Sequence, residues 1–165
     1  MRFIDCKLDK HGDSILQIFN HAIATSTSLY DYQPRTEKSM QDWFATKEKG
    51  NFPVIGIEAE NGELMGFASY GIFRPHAAYQ YTVEHSLYVH SNYRGNGLGK
   101  KLLSEIIERA RRQNLHLMIG VIDSTNTTSV HLHKSLGFTY AGTLNQVGYK
   151  FERWLDADFY QLALS

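Results

Sequence analysis

The stretch Tyr93-Arg94-Gly95-Asn96-Gly97-Leu98-Gly99-Lys100 lies between a β-type segment and the strongest helical pattern of the chain, residues 97–112. Glycine has no Cβ, so backbone N–H groups in such a turn can approach a ligand closely. The first turn of the following helix adds N–H donors without intrahelical partners and a partial positive charge. The pattern therefore predicts a turn that binds an anion such as a pyrophosphate.

Two common phosphate-binding patterns do not fit this turn. The dinucleotide pattern G-x-G-x-x-G meets Lys100 where its last glycine is required. The P-loop pattern meets Arg94 and Lys101 in place of its first glycine and its Ser/Thr. An ordinary tight turn with a solvated arginine is the alternative interpretation, but such a turn needs one glycine with positive φ rather than three at alternate positions.

Composition excludes several classes of protein. The 165 residues carry 17 Lys+Arg and 17 Asp+Glu, without the basic run typical of nucleic-acid binding, so no nucleic-acid partner is expected. Apolar stretches are too short for a membrane span, and no signal peptide is readable. Cys6 is the only cysteine, which excludes an internal disulfide and favours the cytoplasm. An apolar content of 42% supports one core, so residues 1–165 are predicted to form a single domain.

Hydrophobic periodicity and turn signals predict seven strands and four helices. The predicted strands are 2–7, 54–59, 64–70, 79–89, 115–122, 138–147 and 149–163. The predicted helices are 9–24, 36–50, 97–112 and 126–136. The resulting order β-α-α-β-β-β-α-β-α-β-β predicts an α/β domain whose mixed sheet carries helices on its faces.

Two segments at a suitable distance resemble the GNAT superfamily of N-acetyltransferases. Arg94-x-x-Gly97-x-Gly99 is similar to its acetyl-CoA loop, Arg/Gln-x-x-Gly-x-Gly/Ala. Asn126-x-x-Ser129, leading into Leu132-His133-Lys134-Ser135-Leu136-Gly137-Phe138, is similar to its Asn-containing helix, which usually ends in Tyr-Glu-Lys-x-Gly-Phe. The resemblance spans residues 52–142.

The resemblance implies the GNAT fold, with a mostly antiparallel sheet of six or seven strands flanked by helices on both faces. It also implies acetyl-CoA as co-substrate, without a metal. The implied cofactor contacts are Leu87, Tyr88, Val89, Arg94, Gly95, Asn96, Gly97, Leu98, Gly99, Lys100, Asn126 and Ser129.

Acetyl transfer to an amine needs a base, because an α-amino group with a pKa of about 8 is mostly protonated at neutral pH. Glu84 is the candidate, since strand alternation places it on a polar face with Thr82, Ser86 and Tyr88. A solvent-exposed sheet face is the alternative interpretation. The oxyanion would be bound by a backbone N–H within residues 87–89.

His133 occupies the position at which the superfamily often has a tyrosine that protonates the departing CoA thiolate. An imidazole can also donate a proton, so His133 is the candidate acid. The alternative is that His133 only packs or hydrogen-bonds within its helix. A metal site with His131 is not expected, because residues two apart on a helix face opposite sides. Nothing in the sequence places Cys6 near the thioester, so direct attack in a ternary complex is favoured over a cysteine intermediate.

A narrower resemblance is carried by Phe73-Arg74-Pro75-x-x-Ala78-Tyr79-x-x-Thr82-Val83-Glu84-x-Ser86-x-Tyr88-Val89 and by Gly148-x-Lys150-Phe151-x-x-Trp154-Leu155-Asp156. Both resemble the phosphinothricin acetyltransferase group, which includes methionine sulfoximine/sulfone acetyltransferases. The resemblance implies acetylation of the α-amino group of a small amino acid or analogue, by a homodimer with sites near its interface. The implied substrate contacts are Arg74, Pro75, His76, Tyr79, Thr82, Glu84, His85 and Ser86.

Two other functions remain open. The first is acetylation of protein N-termini or of another amine. The second is a non-catalytic acyl-CoA-binding module, since the fold alone does not determine function. A pure binding module needs no carboxylate in the middle of a strand, so Glu84 distinguishes it from the enzymes.

Overall fold

The computed structural model describes residues 1–165 and contains seven strands and four helices. The strands are β1 Arg2–Asp5, β2 Val54–Glu58, β3 Leu64–Ile72, β4 Thr82–Val89, β5 Leu117–Asp123, β6 Thr139–Lys150 and β7 Arg153–Ala163. The helices are α1 Leu8–Thr25, α2 Glu37–Lys49, α3 Leu98–Arg112 and α4 Thr127–Ser135. Short 3-10 turns lie at Ala77–Tyr79 and Ser91–Tyr93.

One sheet contains all seven strands in the order β1-β2-β3-β4-β5-β7-β6. Only the β4–β5 pair is parallel, and all the other neighbours are antiparallel. The predicted mixed, mostly antiparallel sheet is therefore confirmed.

Helices cover both faces of this sheet, as predicted. On one face, Ile15 and Phe19 of α1 and Met40 of α2 pack with Phe67 of β3 in a small buried cluster. On the other face, the apolar stripe of α3 packs against β2, β3 and β4 in a larger cluster. Because successive strand residues point to opposite faces, β3 contributes side chains to both clusters, such as Phe67 to the smaller and Tyr70 to the larger.

Local signals set several element boundaries. The N-cap of α2 is Thr36, whose hydroxyl accepts from the Ser39 N–H at 3.1 Å, while the Ser39 hydroxyl accepts from the Thr36 N–H at 2.9 Å. This reciprocal capping satisfies two donors that the first helical turn leaves free. The helix ends at Gly50, as predicted, and Gly62 turns the β2–β3 hairpin with a φ of +85°.

The predicted break between the last two strands at Gly148 is wrong. Strand β6 continues through Gly148, where a Cβ would lie 2.6 Å from the Tyr30 ring, and the hairpin turns at Phe151 and Glu152. Both turn residues have positive φ, 53° and 59°. Neither is a residue type that commonly marks such a turn, so the sequence pattern did not reveal it.

The site arises where β4 and β5 separate. These strands pair only over Thr82–Glu84 and Leu117–Ile119. Beyond these residues β4 continues to pair with β3 as far as Val89, and β5 continues to pair with β7 as far as Asp123. The edge of β4 that faces β5 therefore has no strand partner after Glu84, and a cleft opens there.

None of the helices combines the length and the apolar character needed to span a membrane.

Candidate functional site

A cleft of about 690 Å³ occupies the gap between the diverging strands. Its walls are the loop residues 27–30 after α1, residues 84–89 of β4, residues 121–123 of β5, and α4 with its N-cap. A second cavity of about 320 Å³ lies between α1 and the C-terminal end of β4. Both cavities are lined by residues 87–89 and by Arg94, so the cleft is open on both sides of β4.

The glycine-rich turn follows directly after Arg94. Gly95 and Gly97 have φ of +82° and +72°, and a Cβ at either position would meet no atom within 4 Å. No side chain caps the N-terminus of α3, and no acidic residue lies in its first turn. The first N–H groups of α3 therefore have neither a capping acceptor nor a nearby negative charge, as an anion site requires.

The remaining residues of the turn give it shape. Leu98 is buried in the larger core cluster. A Cβ built on Gly99 would lie 3.4 Å from the Leu132 side chain. The Asn96 amide donates to the Tyr93 carbonyl at 3.0 Å. Lys100 is exposed in the first turn of α3. The core contact of Leu98 anchors the turn while its outer side stays open.

Strand β4 points Glu84 and Ser86 into the cleft. Partial burial raises the pKa of the Glu84 carboxyl, and the positive charge of Arg74 opposes that rise. A raised pKa is the direction expected of a carboxylate that accepts protons near neutral pH. Tyr88 departs from the predicted polar face, because its ring packs against Phe19 and Phe67.

The predicted substrate contacts before β4 are not brought into the cleft. Arg74, Pro75, His76 and Tyr79 are exposed, and neither they nor Thr82 line either cavity. The Arg74 guanidinium makes no salt bridge within the chain and lies 5.4 Å from the centre of the neighbouring Phe73 ring. This loop thus lies beside the cleft, close enough for Arg74 to affect Glu84.

His85, predicted to contact the substrate, lines the cleft as Glu84 does, but its side chain does not share the face of Glu84. Strand alternation turns the imidazole of His85 to the opposite face, where its Nε2 lies 2.9 Å from Nε2 of His133. Nδ1 of His133 in turn lies 2.7 Å from the Ser129 carbonyl oxygen. Burial lowers the pKa of both imidazoles, and their mutual repulsion lowers that of His85 further.

Helix α4 begins at the cleft with Asn126 as its N-cap. The Asn126 side-chain oxygen accepts from the Ser129 N–H at 3.1 Å, and its side-chain nitrogen makes no hydrogen bond within the chain. Asn126, Ser129 and His133 all line the cleft. An amide donor and an imidazole are thus brought together on the wall opposite β4.

The loop after α1 is the part of the cleft that the sequence interpretation missed. The predicted helix 9–24 left the residues after it without a role, although residues 27–30 form a wall of the cleft. Thr27 donates to the Asp123 carboxylate, and the buried Lys150 donates to the carbonyls of Ser26 at 2.9 Å and Leu29 at 2.7 Å. The polar run at residues 25–28 was the available signal, but its partners lie about a hundred residues away.

Replacing Lys150 with Met is expected to loosen this loop. The ammonium is 5% exposed, so its removal leaves two carbonyl oxygens without their donor, at a cost of about 1–3 kcal/mol in the free energy of unfolding. Urea denaturation of K150M, with the exposed Lys49→Met as control, measures this loss. Equal unfolding free energies for the two variants would contradict the role of Lys150.

No cluster of three or more His, Cys, Asp and Glu side chains could hold a metal ion. The fold and cleft define an α/β protein in which a glycine-rich turn with an uncapped helix start lies beside a two-sided cleft that contains a carboxylate.

Comparison with known proteins identifies the family. The acetyltransferase (GNAT) family matches residues 15–138. An L-methionine sulfoximine/L-methionine sulfone acetyltransferase of Pseudomonas aeruginosa is 45% identical over 150 residues, covering 91% of this chain and 87% of the relative. A phosphinothricin N-acetyltransferase of Alcaligenes faecalis is 35% identical over 156 residues, covering 92% and 77%. The chain belongs to the GNAT acetyltransferase family.

A solved structure adds the cofactor of a relative. An acetyltransferase from Salmonella typhimurium, in complex with its cofactor acetyl-CoA, is 39% identical and superposes with a TM-score of 0.95, covering 99% of this chain and 94% of that one. Both resemblances stated from the sequence, to the superfamily and to the phosphinothricin and methionine sulfoximine/sulfone group, are therefore confirmed.

Proposed function

We propose that the protein transfers the acetyl group of acetyl-CoA directly to the α-amino group of a small amino acid or analogue. The methionine sulfoximine, methionine sulfone and phosphinothricin class is the favoured acceptor. The observation that carries this proposal is the two-sided cleft, with an uncapped helix start beyond one end of β4 and Glu84 within it. The names of the relatives in Pseudomonas aeruginosa and Alcaligenes faecalis support the same acceptor class.

The residues of the turn suit acetyl-CoA. The free N–H groups of residues 95–100 and the unpaired Arg94 guanidinium would hold the pyrophosphate. The unpartnered edge of β4 at residues 87–89 would pair with the amide groups of the pantetheine arm, opposite Asn126 and Ser129. When bound, the cofactor supplies an activated acetyl thioester.

Glu84 then acts as the general base. Its carboxylate accepts a proton from the incoming ammonium, directly or through a water molecule, so that a neutral amine attacks the thioester carbonyl. A backbone N–H of residues 87–89 binds the oxyanion, because the free edge of β4 leaves such donors without a strand partner. His133 is the proposed proton donor to the thiolate.

Arg74 is the proposed contact for the acceptor's anionic or sulfonyl group. Its guanidinium has no carboxylate partner in the chain, yet it lies close enough to lower the pKa of Glu84. A planar guanidinium can donate two parallel hydrogen bonds to a carboxylate or phosphinate.

Replacing Arg74 with Ala is expected to raise the KM for the amino-acid acceptor about tenfold or more, while the KM for acetyl-CoA changes less than about twofold. Loss of one bidentate charge-assisted contact, at roughly 1.5–3 kcal/mol, gives this size of effect. Initial rates over both substrates measure it, with exposed Arg112→Ala as the control. An unchanged KM for the acceptor would remove Arg74 from the substrate site.

The active form is proposed to be a homodimer. Exposed aromatic and aliphatic side chains lie on the β6–β7 hairpin and beside it, at Tyr32, Leu144, Val147, Tyr149, Phe151 and Trp154. Trp154 is 61% exposed, and its ring lies 4.9 Å from that of Tyr149. Exposed apolar patches of this kind mark interaction surfaces. A second copy is the occupant that the family resemblance implies.

We also propose a domain organisation and a cellular location for the protein. Residues 1–165 act as one N-acetyltransferase domain. The single sheet, which carries one core cluster on each face, supports this proposal. The protein works in the cytoplasm, supported by the one cysteine, Cys6, which is buried and unpaired.

A substrate panel tests the proposed activity. Release of CoA thiol from acetyl-CoA is measured with phosphinothricin, methionine sulfoximine, methionine sulfone, ordinary amino acids, polyamines and N-terminal peptides. Turnover confined to the first three supports the proposal. Turnover confined to peptides or polyamines would assign another amine, and acetyl-CoA binding without turnover of any amine would assign a binding module.

A further inference from the structure

Two buried histidines meet in the wall of the cleft. His85 of β4 is 8% exposed and His133 of α4 is 3% exposed, and their ring centres lie 5.0 Å apart with an interplanar angle of 21°. Beneath them lies Gly120 of β5, where a Cβ would come within 2.8 Å of Nε2 of His85 and 3.0 Å of Nε2 of His133. The pair therefore requires a residue without a side chain at position 120.

The hydrogen bonds determine where the protons are. A carbonyl oxygen only accepts, so Nδ1 of His133, 2.7 Å from the Ser129 oxygen, carries a hydrogen. In a neutral ring Nε2 of His133 is then an acceptor. The 2.9 Å contact between the two Nε2 atoms is a hydrogen bond only if His85 donates it. Nδ1 of His85 is left as a buried acceptor, and it has no partner in the chain.

No charged group stabilises a proton on this pair. The neighbours on α4 and β7 are the Ser129 hydroxyl, 3.5 Å from Nδ1 of His133, and the Tyr160 ring, 6.4 Å from the His133 ring. The Phe138 ring packs edge-on against both imidazoles. Glu84 precedes His85 in the chain but points to the other face of β4. The low-polarity surroundings favour uncharged rings.

We infer that His85 is a positioning residue for His133. The hydrogen bond donated by Nε2–H of His85 holds His133 as an uncharged acceptor in the cleft wall. This bond therefore determines the pH range in which His133 can carry a second proton. This inference rests on the proposed function, in which His133 gives a proton to the thiolate. Such a donation requires the pair to take up one proton beyond its neutral state, because Nε2 of neutral His133 has none to give. His85 thereby controls the alkaline side of the pH profile, where the pair has lost the proton that His133 would donate.

The first test reads the protons directly. In ¹⁵N-labelled wild-type protein at neutral pH, the imidazole ¹⁵N shifts are expected to report Nδ1–H at His133 and Nε2–H at His85. The His133→Gln and His85→Gln variants assign the signals. The opposite tautomer in either ring, or a charged pair at neutral pH, would overturn the inference. This measurement needs no turnover, so it stands even if the substrate panel fails.

The second test removes the donor and then restores it. His85→Ala admits water to Nε2 of His133, so the His133 titration and the alkaline limb of kcat are both expected to move to higher pH by about one unit or more. The KM for each substrate is expected to change less than about twofold. His85→Gln, which keeps an N–H donor at the same reach, is expected to retain the wild-type alkaline limb. A profile unmoved in His85→Ala, or moved equally in His85→Gln, would overturn the positioning role, and circular dichroism confirms that each variant is folded.

Discussion

Replacing Glu84 with Gln is expected to lower kcat about 10²- to 10⁴-fold, the usual contribution of a positioned general base. Gln keeps the size of the side chain but cannot accept a proton from the ammonium. Binding of acetyl-CoA is expected to stay within about twofold, because the cofactor turn begins ten residues later at Arg94. Stopped-flow or steady-state rates together with calorimetric titration of acetyl-CoA measure the two quantities separately.

The pH dependence provides a second readout for Glu84. Burial raises the pKa of this carboxyl above its ordinary value, and only the deprotonated form accepts a proton. Activity should therefore rise with pH as the Glu84 carboxyl loses its proton, which contributes to the acid limb of the pH profile. The E84Q variant should lose this contribution to the acid limb. Glu60→Gln, in the exposed β2–β3 turn, is the matched control. Equal losses of kcat and acetyl-CoA affinity in E84Q would show that Glu84 supports the fold of the cleft rather than the reaction.

Replacing Gly97 with Val is expected to weaken acetyl-CoA binding about tenfold or more. Gly97 has a φ of +72°, which a β-branched residue adopts only with strain, and its open side is where the N–H groups of the turn would approach the pyrophosphate. A tenfold change in Kd corresponds to about 1.4 kcal/mol. Isothermal titration with acetyl-CoA gives the Kd, and thermal unfolding gives the accompanying loss of stability.

Gly62→Val is a closely matched control for this variant. Gly62 also has a positive φ, +85°, and no atom within 4 Å of a built Cβ, but it lies in the β2–β3 hairpin away from both cavities. The two variants should therefore share the backbone strain and differ in cofactor affinity. If both bind acetyl-CoA equally well, the turn at residues 95–100 is not the cofactor site.

Local chemistry in the sequence predicted much of the site. The glycine-rich turn before α3 combines residues with positive φ and an uncapped helix, both of which depend only on neighbouring residues. The capping side chain of Asn126 acts within one helical turn. Glu84 faces the cleft because strand side chains alternate with a period of two. Each of these features depends on contacts a few residues apart, which a sequence pattern records.

Long-range contacts account for what the sequence interpretation missed. Gly148 lies within β6 beside Tyr30, which is 118 residues earlier in the chain, and the β6–β7 turn falls further on at Phe151 and Glu152. The loop at residues 27–30 becomes a cleft wall through Lys150, which is separated in sequence by 124 residues from Ser26 and by 121 from Leu29. Such partners leave no periodic signal in either segment.

The sequence by itself therefore predicted the order of strands and helices along the chain, the glycine-rich turn before α3 and the place of Glu84 on strand β4, because backbone geometry and local hydrogen bonding specify them. Only the tertiary structure decided that His85 bonds to His133, 48 residues away. It also decided that Arg74 lies beside the cleft and not in it. The physical reason is that packing between distant segments selects one partner among several chemically suitable ones, and that choice is made only when the strands and helices come together.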